Sequence, residues 1–385
     1  MPLHEDLLDD PACIEAGDAG GMLLALSSAA AQVRQATHTA EEVGLARVAE
    51  EGRPRAIVVS GVGTAALAGD ALGALAGPTA PVPIVTVRGP DLPGWVGAAD
   101  LVLAISHSGS TQATLAVFDE ANRRGCRLIT IGAPGSPLAE RAVQARGIHV
   151  PVRRGATQRA SFWSLTMPVL VAADHLRLAH VPASDIEAAA DALAACSEQC
   201  RPSSESFVNP AKSAALALAG SVPLLWGTSP IAAVAAARFA SQLADNAKYP
   251  AVTMPAYDAG HGQLPALDGA FGTRSSGEDD VGTLDSFFRD RVEDPLDATR
   301  LRLVLLRDVV EQQLIAARAQ ATLDIVAERG LPVTVMTAEG TSPLTRLAGL
   351  VGFGDYVSVY LALLLGIDPT PVPFAGDLAD RILVT

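Results

Sequence analysis

Residues 100–124 constrain this chain more than any other stretch. A short apolar run, Leu101-Val102-Leu103-Ala104-Ile105, ends in Ser106-His107-Ser108-Gly109-Ser110-Thr111, and a helical pattern follows from Gln112 to Arg124. An apolar run, a turn rich in hydroxyls and glycine, then a helix make a strand–loop–helix unit. The first turn of such a helix leaves about four backbone N–H groups unpaired and carries roughly half a positive charge. Ser106, Ser108 and Thr111 would surround that end with hydroxyl donors, which is one way to hold a phosphate without a lysine. A plainer reading stands beside it, in which Ser108 or Ser110 simply caps the helix.

A second unit of the same kind precedes it. Arg55–Ser60 is a continuous apolar strand that runs into Gly61-Val62-Gly63-Thr64-Ala65 and a helix through Leu75. The spacing resembles a dinucleotide loop. A third glycine is missing at the expected place, however, and no acidic residue closes a second strand about twenty residues on, so a nicotinamide cofactor is not expected. Further strands read at 83–87, 127–132 and 148–152. Five strands alternating with helices between about 55 and 152 predict a doubly wound α/β sheet, with both loops at its ligand-binding carboxyl edge. Arg153, Arg154 and Arg159 follow as a small basic island, either solvated or in contact with a ligand.

The pattern then repeats. A strand at 222–226, the loop Gly227-Thr228-Ser229-Pro230 and a helix at 231–246 copy the unit at 57–75. Strands at 251–254, 301–306 and 333–337 and helices at 309–329 and 343–365 complete a second sheet. The expected division is an N-terminal arm and helix over 1–54, a first domain with its following helices over 55–200, and a second domain over 210–385. Residues 1–20 read as an acidic surface arm, 21–51 as a mostly buried helix, and the Gly-, Ser- and Asp-rich stretch near 268–300 as a mobile insertion.

Charge narrows the partners. A net charge of −14 argues against nucleic acid and anionic membranes. It does not exclude a small phosphorylated ligand, because a nest of N–H groups acts locally. The four cysteines show no paired metal-ligand spacing and no basic–apolar leader begins the sequence. No metal site and a cytoplasmic location are therefore expected. For acid–base chemistry, a carboxylate and a histidine are the usual pair. Asp245, at the end of a helix, and His261, in a Gly-His-Gly turn, are the candidates, and each can equally be a solvated surface residue.

Taken in order, Gly61–Ala66, Ser106–Thr111, Gln158-Arg159-Ala160-Ser161, Asp245–Ala251, His261 and Gly354–Leu361 resemble the bifunctional phosphoglucose/phosphomannose isomerases, built from two SIS (sugar isomerase) domains. The likeness runs from about residue 20 to 378. It implies cofactor-free and metal-free interconversion of glucose 6-phosphate or mannose 6-phosphate with fructose 6-phosphate. It further implies that Ser106, Ser108 and Thr111 hold the phosphate, that Gly63 and Thr64 form the glycine loop and that Arg159 is the family's arginine. Asp245 falls on its glutamate base. His261 falls on a histidine that reaches the site from the neighbouring subunit of a homodimer. Three departures stand out: Ala65 replaces a loop serine, Asp245 is one methylene shorter than glutamate, and Ala379 stands where the family has a lysine. They leave open a weakened protein that binds phosphosugars as a sensor or pathway partner.

Overall fold

Continuous runs of Ile, Val and Leu form parallel strands because both faces of such a strand are covered by helices. In the computed structural model, which describes residues 8–153, 157–272 and 300–383, five such strands make the first sheet. They are β1 (Ile57–Ser60), β2 (Ile84–Val87), β3 (Leu101–Ser106), β4 (Arg127–Gly132) and β5 (Ile148–Pro151), in the order β2-β1-β3-β4-β5. Every pairing is parallel. β1 and β3 are buried along their whole length. Val58 and Val102 from these strands pack with Leu115, Phe118 and Leu138 from the helices that follow β3 and β4.

A second parallel sheet repeats the design. β6 (Ser221–Gly227), β7 (Val252–Pro255), β8 (Arg300–Arg307) and β9 (Val333–Thr337) lie in the order β7-β6-β8-β9. This is the order of the first sheet without a counterpart of β5. Two compact units result. One holds Met22–Glu198 and Gly340–Gly352; the other holds the described residues of Met1–Gly21, Gln199–Glu339 and Phe353–Thr385. One helix among the described residues, Pro343–Leu364, is long and apolar enough to cross a membrane, with mean hydropathy 1.7, but 89% of that window is buried within the protein.

The sequence reading needs correction at several ends. The 21–51 segment is three pieces, Met22–Ser27, Ala29–Glu42 and the 3-10 turn Leu45–Ala49. Its breaks fall at Ser28, whose hydroxyl donates to Ala25 O, and at Gly44, with φ 72°. The supposed surface arm contains the helix Pro11–Gly17, capped by Asp10, with Leu8 and Ile14 buried. The helix expected from Val309 begins at Gln313, since the Asp308 carboxylate accepts from Val310 N and turns the chain first. A further helix, Pro373–Leu383, follows Asp368-Pro369. Arg154, residues 1–7 and most of the expected insertion, 273–299, lie outside the described residues.

Candidate functional site

Strand order decides where the first unit can hold a ligand. β1 and β3 are neighbours, and Ser60 pairs with Ala104. The connection from β1 runs to β2 on one side, while β3 continues to β4 on the other. The two chain directions part here, which opens a crevice at the carboxyl ends of the strands. The glycine loop leaves β1 and the hydroxyl loop leaves β3 at this point.

In the hydroxyl loop, Ser106 Oγ lies 2.9 Å from Thr111 Oγ1 and 3.4 Å from Ser108 Oγ. It accepts from Gly109 N at 3.0 Å. Ser110 Oγ donates to Ser108 Oγ at 3.0 Å. Ser106 is buried, Thr111 half-buried and Ser108 exposed, so the cluster grades from sheet to solvent. Thr111 occupies the cap position of the helix Gln112–Arg123 yet makes no side-chain cap bond. Neither Ser108 nor Ser110 is the cap residue, although Ser108 Oγ accepts from Ser110 N at 3.3 Å and Ser106 Oγ from Thr111 N at 3.4 Å. Gly109 has φ 70°, and a Cβ there would fall 1.9 Å from Ser136 Oγ. Glycine is required at this turn on both counts.

On the neighbouring strand, Gly63 (φ 59°, ψ −128°) turns the chain into the helix Thr64–Ala76, and Thr64 is buried as its first residue. Ala65 is buried behind it. Arg159 lies in the 3-10 turn Gln158–Ala160 and is only 8% exposed, so it is not a solvated loop cation. Arg153, by contrast, is exposed. The turn is linked to the hydroxyl loop through two residues that sequence reasoning passed over: His107 Nε2 lies 3.2 Å from Ser161 Oγ. Burial lowers the pKa of the His107 ring, which favours its neutral form.

The corresponding crevice of the second unit, between β6 and β8, is closed by the protein's own carboxylates. Ser229 Oγ donates to Asp308 Oδ2 at 2.8 Å, and Thr228 Oγ1 to Glu311 Oε1 at 2.5 Å. Burial opposes the charge on Glu311, but Arg307 and the Thr228 hydroxyl outweigh it and hold that carboxyl below its ordinary range. Both hydroxyls of this loop thus donate to carboxylates of the protein itself. The loop after β8, which stands where the hydroxyl loop follows β3 in the first unit, carries Asp308 and Glu311 in place of hydroxyls.

The two acid–base candidates lie in the second unit. Asp245 is half-buried in the last turn of the helix Pro230–Ala247. Its helix end is tied down on both sides. Asn246 Nδ2 donates to Ser358 Oγ at 2.9 Å. Lys248, in the left-handed region at φ 54°, donates from Nζ to the carbonyls of Asp245 (2.8 Å), Asn246 (3.2 Å), Asp368 (3.3 Å) and Pro369 (3.2 Å). His261 is not in a turn. It lies in the short helix Ala256–Gly262, exposed, with its ring centroid 6.1 Å from that of Tyr257. The expected lysine position, Ala379, falls in the helix Pro373–Leu383.

Comparison with known proteins agrees with this architecture. Residues 207–382 match the bacterial phospho-glucose isomerase C-terminal SIS domain. A bifunctional phosphoglucose/phosphomannose isomerase from Caldicellulosiruptor bescii is 28% identical over 85% of this chain and 89% of its own. One from Aquifex aeolicus is 27% identical over 75% and 78%. Among solved structures, a hypothetical protein from Thermus thermophilus superposes with TM-score 0.68 at 17% identity, covering 99% of this chain and 95% of its own. The tagatose-6-phosphate ketose/aldose isomerase of Escherichia coli gives 0.67 at 13% identity, covering 92% and 97%.

Proposed function

We propose that this chain, a homologue of the bifunctional phosphoglucose/phosphomannose isomerases, is an aldose–ketose isomerase acting on glucose 6-phosphate or mannose 6-phosphate and fructose 6-phosphate. The observation that carries the reading is the uncapped hydroxyl cluster Ser106–Ser108–Thr111 beside the Gly63–Thr64 turn at the first switch point. Hydroxyls and backbone amides there bind the phosphate end of the sugar. Arg159 steadies the oxygens near the reacting carbons. Asp245 carries the proton between the adjacent carbons as general base. His261, exposed on its short helix, acts as acid or base from the second copy of a cytoplasmic homodimer.

A second reading is favoured by Lys248. Its ammonium is spent on four carbonyl oxygens and so does not replace the lysine absent at Ala379. With that cation missing and the base shortened to Asp245, the protein would bind phosphosugars and turn them over slowly or not at all.

A coupled assay of fructose 6-phosphate conversion, with Asp245→Asn as control, decides between them. Turnover at least tenfold above the control supports the isomerase. Saturable phosphosugar binding with turnover equal to the control leaves the binding protein. Neither binding nor turnover rejects both.

A further inference from the structure

The ring of His107 sits inside the hydroxyl loop but points away from its hydroxyls. Ser106, Ser108 and Thr111 form one cluster, while His107 Nε2 reaches Ser161 Oγ, 54 residues along the chain. The direction of this hydrogen bond follows from the donors available. Ser161 has one hydroxyl hydrogen, and it donates to Thr157 O at 3.0 Å. Ser161 Oγ therefore accepts, and the hydrogen lies on His107 Nε2. Ser161 is 2% exposed, so water does not compete freely for this bond.

Ser161 closes the 3-10 turn Gln158–Ala160 that carries Arg159. The turn is held from a second side by Gln32, whose Nε2 donates to Ala160 O at 2.8 Å and whose Oε1 accepts from Ser164 Oγ at 3.1 Å. The loop end of the strut is fixed as well, because His107 O accepts from Ala133 N at 3.1 Å. A rigid aromatic ring between two anchored segments sets the spacing between them.

We propose that His107 is a positioning residue that ties the phosphate loop to the Arg159 turn and thereby selects phosphosugars over free phosphate. The inference rests on the reading of that loop and Arg159 as the two ends of one phosphosugar site. A phosphate ion touches only the loop and is indifferent to the spacing. A six-carbon monophosphate must satisfy the hydroxyls with one end and the guanidinium with the other.

The test is binding of fructose 6-phosphate and, separately, of inorganic phosphate to the full chain by calorimetry. Loss of the strut in His107→Phe or Ser161→Ala should weaken fructose 6-phosphate binding about tenfold, the scale of one lost hydrogen bond, and change phosphate binding less than about twofold. His107→Gln, whose terminal amide can place an N–H near Ser161 Oγ, should recover to within about threefold of the parent. His107→Phe combined with Ser161→Ala should be no weaker than the weaker single variant, since both remove the same bond. Should His107→Phe fail to fold, Ser161→Ala and His107→Gln still carry the comparison. Equal losses for both ligands, no loss for either, or a glutamine variant as weak as phenylalanine would overturn the proposal. If the parent binds phosphate but not fructose 6-phosphate, the functional reading itself is what fails.

Discussion

Arg238 Nη2 lies 2.7 Å from Asp355 Oδ2, and both side chains are almost wholly buried, 1% and 9% exposed. The pair joins the helix Pro230–Ala247 to the segment Asp355–Ser358, and Asn246 repeats the link eight residues on through Ser358. Ser358 in turn donates to Asp355 O at 2.6 Å. This polar seam anchors the helix whose last turn carries Asp245.

Breaking the pair leaves one charge buried without its counter-ion. Asp355→Ala should therefore destabilise the protein by about 3–5 kcal/mol, while Arg238→Met with Asp355→Leu should cost much less, because neither charge then remains. Denaturant unfolding of both variants checks this. Equal losses would mean that packing, not charge, holds the seam.

Lys248 tests the same helix end from the other side. Lys248→Gly relieves the left-handed backbone but removes the ammonium; Lys248→Met removes the ammonium and keeps the strain. Loss of several carbonyl partners should cost Lys248→Met about 1–2 kcal/mol, with glycine about 0.5–1 kcal/mol milder. Turnover should fall in both while KM holds, because Asp245 and not the phosphate loop is disturbed. An unchanged kcat would detach Lys248 from the chemistry.

The buried strands and the hydroxyl loop were legible because their signals are local. β3 is a run of six buried residues that ends in hydroxyls, and every step is visible within ten positions. The seam was not legible. Arg238, Gln242 and Asn246 recur every four residues on one helix face, a stripe that by itself reads as solvated. All three are buried, and Arg238 and Asn246 meet Asp355 and Ser358, which lie more than a hundred residues away. The His107–Ser161 bond escapes sequence reasoning for the same reason, although both residues lie within motifs that were recognised. His261 was misread as a turn residue because two flanking glycines outweighed the short helix that begins at Ala256.

Gly109 offers a test of the loop that does not depend on any ligand. Gly109→Ala puts a Cβ in the left-handed region, at about 1–2 kcal/mol, and against Ser136, at about 1–3 kcal/mol more. Ser136→Gly should recover the steric part and leave the backbone part. Thermal unfolding of the single and double variants separates the two contributions, and an unaltered melting temperature in Gly109→Ala would contradict the loop geometry.

The pH dependence follows from two half-buried histidines. Burial lowers the pKa of His107 and of His149. In the unfolded chain both titrate near 6.5, so as pH falls from about 7.5 the unfolded state takes up protons first. Stability is therefore full above the unfolded pKa and drops as pH falls towards the folded values, below which the slope flattens. Carboxylates such as Asp100, whose burial is outweighed by Arg55, act in a separate window near and below about 4. Melting temperature measured from pH 8 to 5 should decline, and His107→Gln with His149→Gln should flatten that decline. A flat profile in the parent would mean that neither ring resists protonation.

Asp245 gives the sharpest test of the chemistry. Its helix end is held by Asn246 and Lys248, so the carboxylate cannot advance by shifting the backbone. A glutamate would reach about one C–C bond further, roughly 1.5 Å. A displacement of about 1 Å at a reacting group is worth about a hundredfold in rate. If the shortened side chain is what limits this protein, Asp245→Glu should raise kcat between about tenfold and a hundredfold with little change in KM. Asp245→Asn, which keeps the shape and removes the base, should lower it by at least about a hundredfold. Steady-state rates with fructose 6-phosphate measure both. A glutamate variant as slow as the asparagine variant would show that the site has been rebuilt around the shorter acid, and a glutamate variant equal to the parent would show that proton transfer at Asp245 does not limit turnover.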